Sequence, residues 1–291
     1  LTSSTDELIF KNLTATKAQF TSNELICEYV NHYGIDGKAR AERLIGNARA
    51  RLLGVQTEMS TDMVASFKRD RDGNPTPDLL FTSKTLINKE FENLDIMRKQ
   101  MAQASQVQIK DIDKKISALE QKIKGKFVDG QRALIKSVFN ENNATIAIGV
   151  PGAGKSYAIN GCALLAHEQG FKTYGIAPTN KVASDLGTTA IGKDNAFTVQ
   201  KFNADFEKGN IKLDAKSIVF MDEASMVATQ DWNKLLKNID MAGAKLVVVG
   251  DTNQISAVGV GATLTEFMRD KDIIKHQGNI AILDEITRQK D

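Results

Sequence analysis

From residue 126 onward, the hydrophobic residues fall into short continuous runs separated by longer stretches with helical character. The runs predict five strands, at Thr145–Ile148, Thr173–Ala177, Ser217–Met221, Leu246–Val249 and Ile280–Leu283. Helices are predicted after Lys155, Thr179 and Gly261 and around Trp232–Ile239. Apolar runs without polar alternation are typical of parallel strands covered on both faces. The pattern therefore predicts a doubly wound α/β domain over residues 126–291, with ligands at the carboxyl ends of its strands.

The tripeptide Phe-Thr-Ser occurs twice in the first 125 residues, at Phe20–Ser22 and Phe81–Ser83, and each copy predicts the start of a helix. Thr21 or Ser22 can cap the first helix, and Glu24 stands where a capping box needs its acid. Two capped helices in a small helical bundle are favoured here over a ligand site.

The remainder of the first 125 residues also reads as helix and turn. The polar stretch Lys68–Pro77 predicts a turn-rich loop. Farther on, an apolar stripe recurs every three or four residues, formed by Ile109, Ile112, Ile116, Leu119 and Ile123. The stripe is short for a coiled coil and favours a helical hairpin packed on a neighbouring element. We therefore expect a helical region over 1–125 and a second domain over 126–291.

A glycine-rich loop follows the first predicted strand of the second domain. It matches the pattern G-x-x-x-x-G-K-[ST] at every fixed position and consists of Gly149, Val150, Pro151, Gly152, Ala153, Gly154, Lys155 and Ser156. Such a loop, leading into a helix N-terminus, forms a cradle for phosphates. Lys155 is expected to reach the β- and γ-phosphates of ATP, Ser156 to ligate Mg²⁺, and Tyr157 to complete the nucleotide-binding residues. A glycine turn that binds nothing is the alternative, which the strand–loop–helix order disfavours.

Two acids end the strand predicted at Ser217–Met221. Asp222 is suited to hold Mg²⁺, and Glu223 is suited to orient and deprotonate an attacking water. An acidic pair after a strand is often only a helix cap. The phosphate loop upstream favours the catalytic interpretation.

Three further side chains are candidates for contacts with the nucleotide. Gln254 follows the strand that ends near Asp251 and is suited to contact the γ-phosphate or the attacking water. Arg288 is suited to stabilise charge on the γ-phosphate, and the Gln131 amide can pair with the edge of adenine. Taken singly, Gln131 and Arg288 are equally well explained as solvated surface side chains.

Two polar segments are candidates for contacts with a nucleic-acid backbone. The first is Pro178, Thr179, Asn180 and Lys181, where small polar groups precede a predicted helix. The second contains Thr198 and Gln200 between two phenylalanines, a mixture typical of single-strand binding sites. The alternatives are an ordinary strand-to-helix turn for the first segment and core plus surface for the second.

Composition narrows the class of protein without identifying its partner. The chain is 42% hydrophobic and 25% charged, as in ordinary globular proteins. A net charge of +2 means that any basic groove is local. Cys27 and Cys162 lack C-x-x-C spacing and fit a reducing, cytoplasmic location. No apolar run approaches the length of a membrane span, and the start at Leu1 suggests a piece of a longer protein.

Together these motifs resemble the first RecA-like domain of superfamily 1 DNA helicases of the RecD-like kind. They are similar above all to the helicase part of conjugative relaxases. In this resemblance Gln131 is the adenine-recognising glutamine and Gly149–Ser156 is motif I. Motifs Ia and Ib, which contact single-stranded DNA, correspond to 177–183 and 198–200. Motifs II and III correspond to 222–225 and 250–261, and motif IV begins at 283–288.

The resemblance implies an ATP-dependent DNA helicase or translocase that moves 5′ to 3′. It implies ATP with Mg²⁺, single-stranded DNA and other proteins of the conjugation machinery as ligands and partners. A second RecA-like domain would follow Arg288, so we expect weak turnover by this chain alone. A nicking domain is not expected, because the three histidines are too scattered for its metal site. The alternatives are a vestigial helicase-like module that binds single-stranded DNA, and a small-molecule kinase, which the Asp222–Glu223 pair disfavours.

Overall fold

The computed structural model describes residues 4–16, 19–57, 62–70, 72–251 and 262–285. Contacts divide the chain into two compact units. The first runs to Phe91 and includes Ala228–Gln230, and the second comprises Glu92–Val227 and the chain from Asp231 onward.

The first unit combines helices with a small sheet. Its helices are α1 (Ser4–Thr16), α2 (Ser22–Tyr33) and α3 (Ile35–Leu52), and its strands are β1 (Phe20–Thr21), β2 (Met63–Arg69) and β3 (Pro75–Ser83). The strands pair antiparallel in the order β1-β3-β2. Stacked rings of Phe20 and Phe81, with centroids 5.6 Å apart, lie in its core.

Both predicted helix starts in this unit are confirmed. Thr21 caps α2, with its Oγ1 accepting from the Glu24 N–H at 3.3 Å and its own N–H donating to Glu24 Oε2 at 2.7 Å. The second helix, α4 (Lys84–Ala102), begins directly after Phe81–Ser83. Ser83 Oγ accepts from the Leu86 N–H there at 3.0 Å.

The expected small helical bundle is corrected to a mixed unit. The stretch Lys68–Pro77 contains the predicted turn, but it joins two paired strands, β2 and β3. Leu79 and Phe81 are buried on alternate positions of β3, which is the period of a half-buried strand. Pairing between β2 and β3, together with this apolar face, outweighs the helical interpretation of the region.

The second unit contains a six-stranded sheet flanked by helices. Its remaining helices are α5 (Ile112–Ile123), α6 (Asp129–Val138), α7 (Lys155–Glu168), α8 (Asn180–Leu186), α9 (Val199–Glu207), α10 (Thr229–Ala242), α11 (Ala262–Arg269) and α12 (Lys271–Ile274). Its strands are β4 (Ala144–Gly149), β5 (Lys172–Ala177), β6 (Ala196–Thr198), β7 (Ser217–Met221), β8 (Lys245–Asp251) and β9 (Ile280–Leu283). Their order is β6-β5-β7-β8-β4-β9, and every pair is parallel.

All five predicted strands form, and the α/β fold class is confirmed. Every residue of β4 and of β7 is buried, as expected for strands covered on both faces. Alternate side chains enter two hydrophobic cores, so that Val247 lies in one and Val248 in the other. The short strand β6 was not predicted, because three residues carry too little pattern.

The second unit begins at Glu92, earlier than the predicted boundary at 126. Met97 and Met101 of α4 are fully buried in one of its cores, and Ile116 of α5 is fully buried in the other. Four residues of the expected apolar stripe, Ile112, Ile116, Leu119 and Ile123, lie on the side of α5 that packs on α6 and α7, whereas Ile109 precedes the helix. A functional division of the chain at residue 126 stays a prediction. No helix in the described ranges has both the length and the hydropathy to cross a membrane.

Candidate functional site

The candidate site lies at the carboxyl edge of the parallel sheet, where β4, β7 and β8 end. Gly149 of β4 is paired in register with Asp251 of β8, and Met221 of β7 with Val248. Because the strands are parallel, the loops that follow them share one edge. The fold thus brings the phosphate loop, Asp222 and Asp251 together from distant parts of the sequence.

The phosphate loop is held by main-chain hydrogen bonds and by two glycines with positive φ. Gly152 and Gly154 have φ of 81° and 72°, a conformation that other residues adopt at a cost. The Val150 N–H donates to the Leu283 carbonyl at 3.0 Å, and the Ala153 N–H donates to the Val150 carbonyl at 3.2 Å. The result is a tight turn that leads directly into the N-terminus of α7, as a phosphate cradle requires.

Lys155 and its neighbours begin α7 beside this turn. The Lys155 Nζ donates to the Gly149 carbonyl at 3.1 Å, so its charge lies against the loop. Ser156 is exposed in the first turn of the helix. The Tyr157 ring packs against Phe127 with centroids 5.0 Å apart and keeps 39% of the residue exposed.

The acidic pair lies at the end of β7. The Asp222 N–H donates to the Ile176 carbonyl of β5 at 2.9 Å, which extends the sheet by one residue. Asp222 Oδ1 accepts from the Glu223 N–H at 2.9 Å. Burial raises the pKa of Asp222, while this hydrogen bond and the charge of Lys155 act in the opposite direction. Asp222 and Lys155 therefore interact electrostatically across the site.

Glu223 has a left-handed backbone conformation, with φ of 51° and ψ of 39°. For a residue with a Cβ this costs about 1–3 kcal/mol and occurs preferentially at functional sites. The structure thus places Glu223 in an unusual backbone state directly beside the half-buried Asp222. Glu223 also stands at the N-cap position of the short 3₁₀-helix Ala224–Met226, so its catalytic role and the helix cap both stay predictions.

The oxygen groups present fit a magnesium ion. The Ser156 hydroxyl and the Asp222 carboxylate are hard ligands, and Mg²⁺ in nucleotide sites takes few protein ligands besides phosphate and water. A cation near Asp222 would offset the destabilisation of its charged form by burial. No group of three or more His, Cys, Asp or Glu side chains suited to a metal occurs in the described residues.

Gln131 is buried, contrary to the interpretation of a solvated surface side chain. Only 2% of the residue is exposed. Its Nε2 donates to the Ala153 carbonyl of the phosphate loop at 3.1 Å, and its Oε1 accepts from the Val128 N–H at 3.2 Å. The predicted contact with adenine stays untested.

Two of the predicted catalytic residues lie outside the described part of the chain. Gln254 belongs to 252–261 and Arg288 to 286–291, so their predicted roles stay predictions. Asp251, at the end of β8, is described and half-buried.

The predicted nucleic-acid contacts lie on the same edge of the sheet, after β5 and β6. Thr179 Oγ1 caps α8 by accepting from the Val182 N–H at 3.3 Å, and Thr198 Oγ1 caps α9 by accepting from the Lys201 N–H at 3.2 Å. Ala177 and Thr198 are paired in register, so the two helices begin side by side. Both segments are capped strand-to-helix turns, which is the alternative considered from sequence for the first segment. They also present two neighbouring helix N-termini.

The other side chains of these segments differ in their surroundings. Asn180 and Lys181 are exposed, whereas Pro178 is half-buried. The Gln200 Nε2 donates to Asp231 Oδ2 at 2.6 Å, so a backbone contact would compete with this carboxylate. Asp231 was not singled out from sequence, and Leu283 was named only as a strand end and the start of motif IV. The contacts that they make with Gln200 and Val150 join distant segments, which leaves no local pattern.

Comparison with known proteins identifies a family for residues 126–291. The AAA domain family matches residues 126–291. The probable conjugal transfer protein TraA of Sinorhizobium fredii is 30% identical over 134 residues, which are 46% of this chain and 12% of that protein. The multifunctional conjugation protein TraI of Escherichia coli is 23% identical over 173 residues, which are 56% of this chain and 9% of that protein.

These relatives confirm the resemblance that the motifs indicate, and the chain spans only a small part of their length. Among solved structures, Pif1 helicase from Candida albicans aligns with a TM-score of 0.36 and 19% identity, covering 56% of this chain and 41% of the helicase.

Proposed function

We propose, on the premise that this chain belongs to the AAA domain family, that it is the ATP-binding motor part of a DNA helicase or translocase. The observation that carries the proposal is the meeting of Lys155, Asp222 and Glu223 at one sheet edge, where the charge of Lys155 opposes the rise that burial causes in the pKa of Asp222. A lysine, a metal-binding carboxylate and a second acid beside a phosphate loop are the parts that nucleotide hydrolysis needs.

The proposed chemistry assigns one role to each residue. The phosphate loop and Lys155 bind the β- and γ-phosphates, and Ser156 and Asp222 hold Mg²⁺, which neutralises charge on the phosphates. Glu223 orients the attacking water and accepts its proton. Gln254 and Arg288 are proposed to contact the γ-phosphate and to link its presence to movement of the protein.

Single-stranded DNA is the proposed nucleic-acid partner. The N-termini of α8 and α9 offer N–H groups and partial positive charge to phosphodiesters, and Lys181 adds a full charge. We propose Pro178, Thr179, Asn180, Thr198 and Gln200 as the further residues of this contact. The 5′ to 3′ direction rests on the family resemblance, and a role in conjugation rests on the names of the relatives.

The deciding experiment is ATP hydrolysis measured with and without single-stranded DNA. It is carried out on this chain and on a longer version that continues past Asp291, each with a Glu223→Gln counterpart. We expect DNA-stimulated hydrolysis in the longer protein, weak hydrolysis in this chain, and a loss of about 100- to 10,000-fold in kcat for Glu223→Gln. ATP binding is expected to survive that substitution.

One outcome would overturn the proposal. If the longer protein binds single-stranded DNA but never hydrolyses ATP, the chain belongs to a DNA-binding module without turnover. The intact Lys155, Asp222 and Glu223 argue against that outcome.

A further inference from the structure

The buried amide of Gln131 joins two segments of the second unit. Its Oε1 holds the N–H of Val128 at the start of α6, and its Nε2 holds the carbonyl of Ala153 in the phosphate loop. Only 2% of the residue is exposed. The amide therefore joins the start of α6 to the phosphate loop through one accepted and one donated hydrogen bond.

The position of the Ala153 carbonyl has a direct effect on the loop. Ala153 lies between Gly152 and Gly154, and its peptide bond to Gly154 is trans. In a planar trans peptide the C=O and the N–H of the next residue point in opposite directions. Because Gln131 holds the Ala153 carbonyl toward α6, the Gly154 N–H faces the other side of the loop, where a phosphate oxygen needs a donor.

Helix α6 is a firm support for this contact. Leu134 and Ile135 on its inner face are fully buried. Its first turn lies so close to β9 that a Cβ on Gly130 would come within 2.7 Å of the Ile282 carbonyl oxygen. Arg132 binds Glu120 of α5 at 2.8 Å. The side chain of Gln131 thus extends from a well-packed helix to the phosphate loop.

We propose that Gln131 is a positioning residue that holds the phosphate loop in its binding conformation through Ala153, whatever the base of the nucleotide. The inference rests on the proposed binding of ATP at this loop. It differs from the adenine contact predicted from sequence, which would make Gln131 a determinant of base specificity.

The test compares three ligands in the presence of Mg²⁺: ATP, GTP and inorganic tripolyphosphate, which has no base. Affinities for the full chain are measured by calorimetry in the wild type, in Gln131→Met, and in Gln121→Met as a control with the same change on an exposed residue of α5. Gln131→Met keeps the approximate volume and the charge and removes both hydrogen bonds. We expect all three affinities to fall by a similar factor of about 10 and the control to match the wild type.

Two results would overturn the proposal. A loss confined to ATP would make Gln131 a reader of adenine, and unchanged affinities for all three ligands would leave it without a role in binding. Gln131→Leu, which is also neutral and removes both hydrogen bonds, repeats the test if Gln131→Met does not fold. The Tm of every variant is measured so that binding is compared well below unfolding.

Failure of the proposed function gives a different pattern. If the wild type binds none of the three ligands, ATP binding is wrong for this chain, and the proposal about Gln131 is then decided by hydrogen exchange. Faster exchange of the amides of Gly152–Gly154 in Gln131→Met at an unchanged Tm supports the positioning role. Unchanged exchange contradicts it.

Discussion

Asp222 carries an energetic cost in the folded protein that its proposed function explains. Burial raises its pKa above the ordinary value of 3.8, so the folded state binds a proton there more tightly than the unfolded chain does. The contribution of Asp222 to the free energy of unfolding therefore falls as the pH rises from 3.8 through the pKa of the folded state. Asp222→Asn is expected to raise the Tm at pH 7, and the gain should shrink toward pH 4; thermal melts at both pH values measure it.

Asp214 provides the control of opposite sign. A hydrogen bond from Lys172 lowers the pKa of its carboxyl, so its stabilising contribution is present above pH 3.8 and lost on acidification. Asp214→Asn should lower the Tm at pH 7, by a small amount because the pair is largely exposed. If both variants shifted the Tm in the same direction at pH 7, the destabilisation that burial is expected to cause at Asp222 would be contradicted.

At the residue scale, sequence identifies the groups that act on phosphate and metal but not the contacts that hold them. Spacing and flanking strands are sufficient to single out Lys155, Ser156, Asp222 and Glu223, because the chemistry fixes their types and order. The partners of Gln131 depend on how a helix abuts a loop more than 20 residues away in sequence. These partners therefore could not be predicted from the local sequence pattern.

Among the helices, the close approach of α2 and α3 depends on one glycine. A Cβ on Gly37 would lie 2.0 Å from the Tyr29 carbonyl oxygen, a main-chain atom that cannot move alone. We expect Gly37→Ala to lower the free energy of unfolding by at least about 1–3 kcal/mol. Gly46→Ala lies in the same helix with nothing within 4 Å of its Cβ and should raise it by roughly 0.5–1 kcal/mol. Urea titration of both variants measures the contrast.

The cap of α2 offers a second comparison within one element. Thr21, not Ser22, makes the capping hydrogen bonds with Glu24. Thr21→Ala is expected to lower the free energy of unfolding by about 0.5–2 kcal/mol, whereas Ser22→Ala should be close to neutral. Equal losses in the two variants by urea titration would show that the cap is shared.

At the element scale, strands covered on both faces were easier to predict than the small antiparallel sheet. The runs that became β4 and β7 are apolar apart from Thr145 and Ser217, a pattern typical of buried parallel strands. By contrast, β3 begins Pro75-Thr76-Pro77 and shows its period of two only from Leu79 onward. Its identity as a strand depends on pairing with β2, which local sequence does not reveal.

At the scale of the whole molecule, we expect the second unit to fold independently only if it retains α4. A fragment from Lys84 keeps Met97, Met101 and α5, whereas a fragment from residue 126 loses all of them and exposes the core surfaces that they cover. We expect the longer fragment to melt cooperatively and to bind ATP. The shorter one should be markedly less stable or insoluble. Calorimetric melting of both fragments decides the point, and equal stability would place the boundary at 126.

The hydrogen bond between the Asp222 N–H and the Ile176 carbonyl has a mechanical consequence. Ile176 is followed within three residues by Thr179, so the backbone of the proposed metal ligand is fastened to the strand that leads into the proposed DNA contact. Neighbouring strands lie only about 4.8 Å apart. A displacement of the loop after one strand is therefore expected to be transmitted to the loop after the other, because a main-chain hydrogen bond joins the two strand ends.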